Sequence, residues 1–173
     1  SGDQGTITKL DNFFGLWSER YRIPTYFEWD IDVPYGDIRQ FEKLNSGRIL
    51  ALGSSWKAFQ VNAIADSVAF ILYSDDNGST WDTLWCDLPK VLPTFSFADN
   101  NYGWMGGNEN EIYKTTDGGI SWQLNYYENN PDLYSSISKI KAIDPLTVFA
   151  VSTKGKIISS SNGGVSWDTT SIV

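Results

Sequence analysis

Histidine is absent from these 173 residues, and cysteine and methionine occur once each. Without histidine, the usual Ser-His-Asp relay and any histidine-containing zinc set are excluded. The lone Cys86 excludes an intrachain disulfide and any paired-cysteine metal spacing. It follows Trp85 in a strand-like run and has the setting of a small buried apolar residue. Arginine is scarce: Arg20, Arg22, Arg39 and Arg48 all lie in the first third of the chain. With 13 Lys and Arg against 21 Asp and Glu, the net charge is −8. Nucleic acid and anionic membrane surfaces need clustered cations, so neither is an expected partner. No apolar run approaches the roughly 18 residues of a membrane span. Asp75-Asp76-Asn77-Gly78 lacks the downstream Glu of an EF-hand loop and has the chemistry of a turn. No phosphate-cradling glycine loop occurs, and no cofactor or metal is expected.

What the chain has instead is aromatic residues, 15% of the total with eight Trp, and one octet written three times. The copies are Ser74-Asp75-Asp76-Asn77-Gly78-Ser79-Thr80-Trp81, Thr115-Thr116-Asp117-Gly118-Gly119-Ile120-Ser121-Trp122 and Ser160-Ser161-Asn162-Gly163-Gly164-Val165-Ser166-Trp167. The shared template is hydroxyl, any, Asp or Asn, any, Gly, any, hydroxyl, Trp. The Trp residues recur after about 41 and 45 residues, a period typical of stacked supersecondary units. Each octet joins two β-rich runs, as a hairpin turn would. Asp76, Asp117 and Asn162 supply an acceptor for backbone N–H groups within the turn. Gly78, Gly119 and Gly164 supply a positive φ, and Trp81, Trp122 and Trp167 supply buried apolar area.

Alternation and turn residues predict four strands per repeat, the unit of a β-propeller blade. The repeat units span 37–88, 90–128 and 137–173. Residues 1–36 carry no octet; they predict strands over 17–23 and 26–33 and form a partial blade or closing strands. The first unit carries an insertion, Ser54 to Ser67, which the others lack. That insertion and Pro131–Tyr134 are the best helical candidates in an otherwise all-β chain. Three full blades and a partial one are at or below the four or so that close a ring. Three completions stay open: a small ring finished by the N-terminal segment, a ring shared by two chains as a homodimer, or a longer protein.

The octets resemble the Asp-box, or BNR repeat, S/T-x-D-x-G-x-x-W, with Asn162 departing from the acidic position. The run Phe97–Gly107 followed by Ile112–Trp122 resembles the unit of the photosystem II assembly-factor family. Sialidase-like propellers share the motif. The resemblance implies an all-β propeller of four-stranded blades whose octets are structural and share one rim. It implies a ligand site on the opposite rim, where Trp56, Lys57, Phe59, Gln60, Asn108, Glu109 and Tyr134 are the candidate residues. A sialidase draws three arginines from separate blades, which one chain with four arginines in its first third cannot supply unless the ring is shared. The expected role is therefore non-catalytic: a protein-interaction or assembly module, with a glycan-binding or glycoside-hydrolase propeller as the alternative. Related propellers are common in exported bacterial proteins, so an extracytoplasmic setting (periplasmic, secreted or lipid-anchored) is expected.

Overall fold

The computed structural model describes residues 6–10, 17–22, 36–57, 66–86, 92–128 and 135–171. These form fourteen strands and no helix. Strands β1 (Thr6–Leu10) and β2 (Trp17–Arg22) pair as an antiparallel hairpin. Three four-stranded antiparallel meanders follow. The first has β3 (Gly36–Lys43), β4 (Ile49–Lys57), β5 (Asp66–Ser74) and β6 (Asp82–Trp85). The second has β7 (Thr94–Phe97), β8 (Gly103–Gly106), β9 (Ile112–Thr115) and β10 (Gln123–Tyr126). The third has β11 (Ile137–Ala142), β12 (Val148–Ser152), β13 (Lys156–Ser160) and β14 (Asp168–Ser171).

Thr6–Leu10 is a strand that alternation did not single out. The strand expected over 26–33 lies outside the described residues. One expectation needs correction. The insertion is not helical where it is described: Ser54–Lys57 pairs with Asp66–Ala69 and simply lengthens the β4–β5 hairpin. Extending an existing ladder satisfies the backbone N–H and C=O groups of those residues without a new element. Pro131–Tyr134 lies outside the described residues.

The meanders stack face to face, and the stacking buries two apolar cores. Leu50, Leu52, Ile71, Phe95, Phe97, Met105 and Cys86 fill the space between the first and second sheets. Trp104, Ile112, Ile137, Ile140, Val148, Ala150 and Ile158 fill that between the second and third. Sheet two is therefore covered on both faces, and every residue of β7 and β8 is buried. The approach is close: a Cβ on Gly106 would lie 2.4 Å from the Ile137 side chain. Glycine is required there by the neighbouring blade, not by its own turn.

The inner edges of the sheets are tied by polar side chains. Glu42 accepts from Ser96 Oγ at 3.0 Å, from the Phe97 N–H at 2.9 Å and from Lys141 Nζ at 2.7 Å. Gln40 accepts from Thr94 Oγ1 at 2.9 Å and from Lys139 Nζ at 3.3 Å, and donates to the Phe95 carbonyl at 2.6 Å. First strands β3, β7 and β11 thus line a common axis, the arrangement of propeller blades.

All three octets form the same turn. The first hydroxyl (Ser74, Thr115, Ser160) accepts from the N–H of Gly78, Gly119 or Gly164 at 2.8–2.9 Å. The third position accepts from the N–H of Thr80, Ser121 or Ser166 at 2.8–2.9 Å. Its second oxygen takes the Thr80 or Ser121 hydroxyl, at 2.7 and 2.6 Å. In the third copy the sense of that bond reverses, and Asn162 Nδ2 donates to Ser166 Oγ at 2.8 Å. The asparagine therefore keeps the turn without the charge. The template understated one position: Asn77, Gly118 and Gly163, at the fourth place, also have positive φ (58, 77 and 72°). Trp122 stands edge-on to Phe97 at 5.9 Å, and Trp167 edge-on to Trp104 at 5.6 Å. Each of these two Trp thus joins the core shared with the preceding sheet.

The serine and backbone donors hold the Asp117 carboxyl at about 2, below its ordinary 3.8, with the Ser121 hydroxyl contributing most. Asp76 is lowered likewise, chiefly by the Thr80 hydroxyl. A carboxyl whose native value is depressed stabilises the fold fully above its unfolded value and loses that contribution as pH falls toward the native one. The urea midpoint should thus fall between about pH 4 and pH 2, and Asp117→Asn should flatten that dependence. Thr115→Val, which strips the buried Gly119 N–H of its acceptor, should cost about 1–3 kcal/mol in the same urea titration at neutral pH.

Candidate partner-binding rim

Antiparallel meanders send alternate connections to opposite ends. The octets share one end with the β3–β4, β7–β8 and β11–β12 turns. Gly118 donates to the Asn101 carbonyl at 2.9 Å, Gly163 to that of Leu146 at 2.8 Å, and Ser46 Oγ to Asn100 Oδ1 at 2.6 Å. The acids of these turns are already committed, while Ile120, Ile143, Leu146 and Val165 are exposed. Asp76 and Asp117 serve their own turns, and Asp75 is held by a two-pronged Arg48 contact at 2.7 Å on each oxygen.

The other end carries the β8–β9 and β12–β13 turns. In the first, Glu111 N–H donates to the Asn108 carbonyl at 3.0 Å. The two residues between, Glu109 and Asn110, both have φ of 57°. A hairpin turn with two left-handed residues matches the twist of its strands and favours Asn-Gly. Here a glutamate occupies the first left-handed place, at a steric cost of about 1–2 kcal/mol. The surroundings hold it there. Buried Asn110 accepts from Ser135 Oγ and donates to Glu128 Oε2, both at 2.7 Å. The Glu109 N–H donates to the Ser135 carbonyl at 2.6 Å, and Ile137 N–H to the Gly107 carbonyl at 3.0 Å. Lys156 of β13 pairs with Glu128 and, with Asn110, holds that carboxyl below its ordinary range. The β12–β13 turn is sewn to the same segment: Ser136 N–H donates to Thr153 Oγ1 at 3.1 Å, and Thr153 N–H to the Ser136 carbonyl at 2.9 Å. Two adjacent blades therefore present Asn108, Glu109, Thr153 and Lys154 as exposed side chains on one braced platform.

Of the residues anticipated for this rim, Asn108 and Glu109 are brought together. Trp56 and Lys57 fall at the end of β4, opposite Ser67 and Asp66. Phe59, Gln60 and Tyr134 lie outside the described residues. Sequence reasoning missed the bracing set Asn110, Glu128, Ser135 and Lys156. It also missed the axial set Gln40, Glu42, Thr94, Ser96, Lys139 and Lys141. The axial set carried a signal: a polar pair two residues apart in the first strand of every repeat.

The site offers no activated nucleophile among the described residues. Tyr113 donates to Glu111 at 2.8 Å, but burial first and the Glu111 contact second push its phenol well above the ordinary range. It stays protonated and serves as a buried hydrogen bond. Arg39 is exposed on β3, and Arg48 is engaged on the other rim.

Meanders stacked around a shared axis, with turns segregated onto two rims, define a β-propeller of four-stranded blades. No protein-family model and no curated protein matches the chain. Among solved structures, 18 chains match. A GH74 enzyme from Niastella koreensis is similar in fold, with a TM-score of 0.50 at 18% identity over 70% of this chain and 20% of its own. YCF48 bound to a D1 peptide gives 0.49 at 24% identity over 66% of this chain and 43% of that one. YCF48 from Cyanidioschyzon merolae gives 0.47 at 18% identity, covering 67% and 39% respectively. The chain thus spans less than half the length of each of these structures.

The two polar sets should separate by mutation. Glu42→Ala removes the acceptor of a backbone N–H and of two side chains at a position only 12% exposed, and should cost on the order of 2 kcal/mol. Lys141→Ala removes a partner that is 61% exposed and should cost less than about 1 kcal/mol. Asn110→Ala should cost about 1–3 kcal/mol, because it leaves the Ser135 hydroxyl without its acceptor. Urea denaturation of the three variants checks the ranking.

Proposed function

We propose that the chain is a non-catalytic protein-interaction module, that its octets are Asp-boxes serving only as blade corners, and that its partner docks on the rim opposite them. The observation that carries this reading is Glu109. An exposed glutamate is held in a left-handed conformation where glycine would be unstrained, by a buried network built around Asn110. Backbone strain of this kind persists where the surroundings over-determine it, and it concentrates at binding and catalytic sites. Commitment of the octet-rim acids to their own turns, set against the exposed side chains of Asn108, Glu109 and Lys154 on the braced rim, points the same way. The polar mixture of Asn108, Glu109, Thr153 and Lys154, one acid and one base within reach of two blades, suits the backbone and charged side chains of a peptide segment. An extracytoplasmic setting belongs to the same proposal.

Glu109→Gly should leave stability unchanged or raise it by up to about 1 kcal/mol, while weakening partner binding. A displayed random-peptide library panned on the wild-type chain should yield binders that lose about tenfold in affinity, about 1.4 kcal/mol, on Glu109→Arg and on Lys154→Glu. Binders indifferent to both changes would sink the assignment of the rim. Specific signals on a glycan array, or turnover of an aryl sialoside or xyloglucan, would transfer the protein to the carbohydrate-active alternative.

A further inference from the structure

The first corner departs from the other two at two exposed places. At the fourth position it carries Asn77 where the later copies have Gly118 and Gly163. At the sixth it carries Ser79 where they have Ile120 and Val165. The two departures together write Asn77-Gly78-Ser79, the Asn-x-Ser/Thr acceptor of N-linked glycosylation, with glycine and not proline between. No other asparagine of the chain has a serine or threonine two places on. The corner itself asks for neither departure. In every copy its side-chain bonds run from the first and third positions to the backbone of the fifth and seventh.

A short motif becomes a site only where the fold presents it. Asn77 is exposed in the β5–β6 turn, with φ of 58°, a conformation that asparagine adopts at little cost. Its amide has no hydrogen bond among the described residues. Asn162 of the third corner is the opposite case. Its Oδ1 accepts from the Ser166 N–H at 2.9 Å, its Nδ2 donates to the Ser166 hydroxyl at 2.8 Å, and Gly164 stands where the acceptor hydroxyl would be. Beside Asn77 lies an open concavity of about 680 Å³, walled by polar residues that include Lys43, Ser46, Arg48, Asp75 and Asn100. These groups offer donors and acceptors to the hydroxyls of a first sugar.

We propose that Asn77 is an N-glycosylation site, placed at the two positions that the corner leaves free. The donor is an oligosaccharide joined through its anomeric carbon to a lipid diphosphate. The Asn77 amide nitrogen bonds to that carbon as the carbon–oxygen bond to the diphosphate breaks. The lipid diphosphate leaves with the bonding pair, and the amide gives up one proton to a base of the transferring enzyme. Ser79 is the hydroxyl by which that enzyme holds the acceptor. The product is a bulky, solubilising group on the surface. It sits on the rim away from Glu109 and Lys154, so the partner-binding rim stays free. The inference rests on the extracytoplasmic setting proposed above, where such transfer takes place.

Export of the full chain from a cell that carries an oligosaccharyltransferase should yield a form heavier than 19.4 kDa by the mass of the host's glycan. Peptide mapping by mass spectrometry should place that glycan on Asn77. Asn77→Gly and Ser79→Ala, both at exposed positions, should keep the circular dichroism of the native sheets and lose the glycan. Ser79→Thr should retain it. A folded, exported chain that carries no glycan overturns the proposal, as does a glycan that survives Ser79→Ala or maps to another residue. Because the host supplies the compartment, such a failure counts against Asn77 alone; peptide binding and its loss on Glu109→Arg test the other rim separately.

Discussion

The constraint on which the structure rests is that a four-stranded meander has two apolar faces and covers neither by itself. Burial of apolar area is the main favourable term in folding, so each sheet is stable only beside another. Sheet two meets the constraint in full. Trp104, fully buried, sits against Trp167 and under the Lys114 ammonium, while Phe95 and Phe97 on the other face pack toward the first sheet. Side-by-side packing then fixes everything else. It sets which strand lies innermost, which end of each hairpin faces which rim, and which side chains meet across the axis.

The octet makes that packing repeatable. Its hydroxyl, acid or amide, and paired left-handed residues satisfy the turn internally, so the corner costs little to bury against its neighbours. In the second and third copies its Trp closes the top of the core shared with the preceding blade. Asn162 shows how little of this depends on charge: an amide reverses one hydrogen bond and leaves the geometry unchanged. These side chains are spent on the corner, whereas the connections of the opposite rim differ from blade to blade.

Legibility of the sequence followed the range of the interactions. Strands β3 to β14 were readable because alternation, turn residues and the octet act over a few neighbours. Asn108 and Glu109 were readable as a turn on the far rim for the same reason. The network behind them was not. Asn110 and Ser135 are 25 residues apart, and Glu128 and Lys156 are 28 apart, and only blade packing brings them together. The axial bonds from Lys141 to Glu42 and from Lys139 to Gln40 span 99 residues each. No local pattern couples such positions, although the recurring polar pair in each first strand marks where to look.

The amino-acid sequence alone determined the all-β class, the corner chemistry, the four-strand period and the exclusion of histidine- and disulfide-based chemistry. These follow from which residues are present and from spacings within a single hairpin. Tertiary structure alone decided that Glu109 is strained and braced, that Tyr113 is held in its neutral form, and that Phe149 and Val151 of the third sheet are exposed. Each depends on which sheet is packed against which, a long-range arrangement that local spacing does not encode.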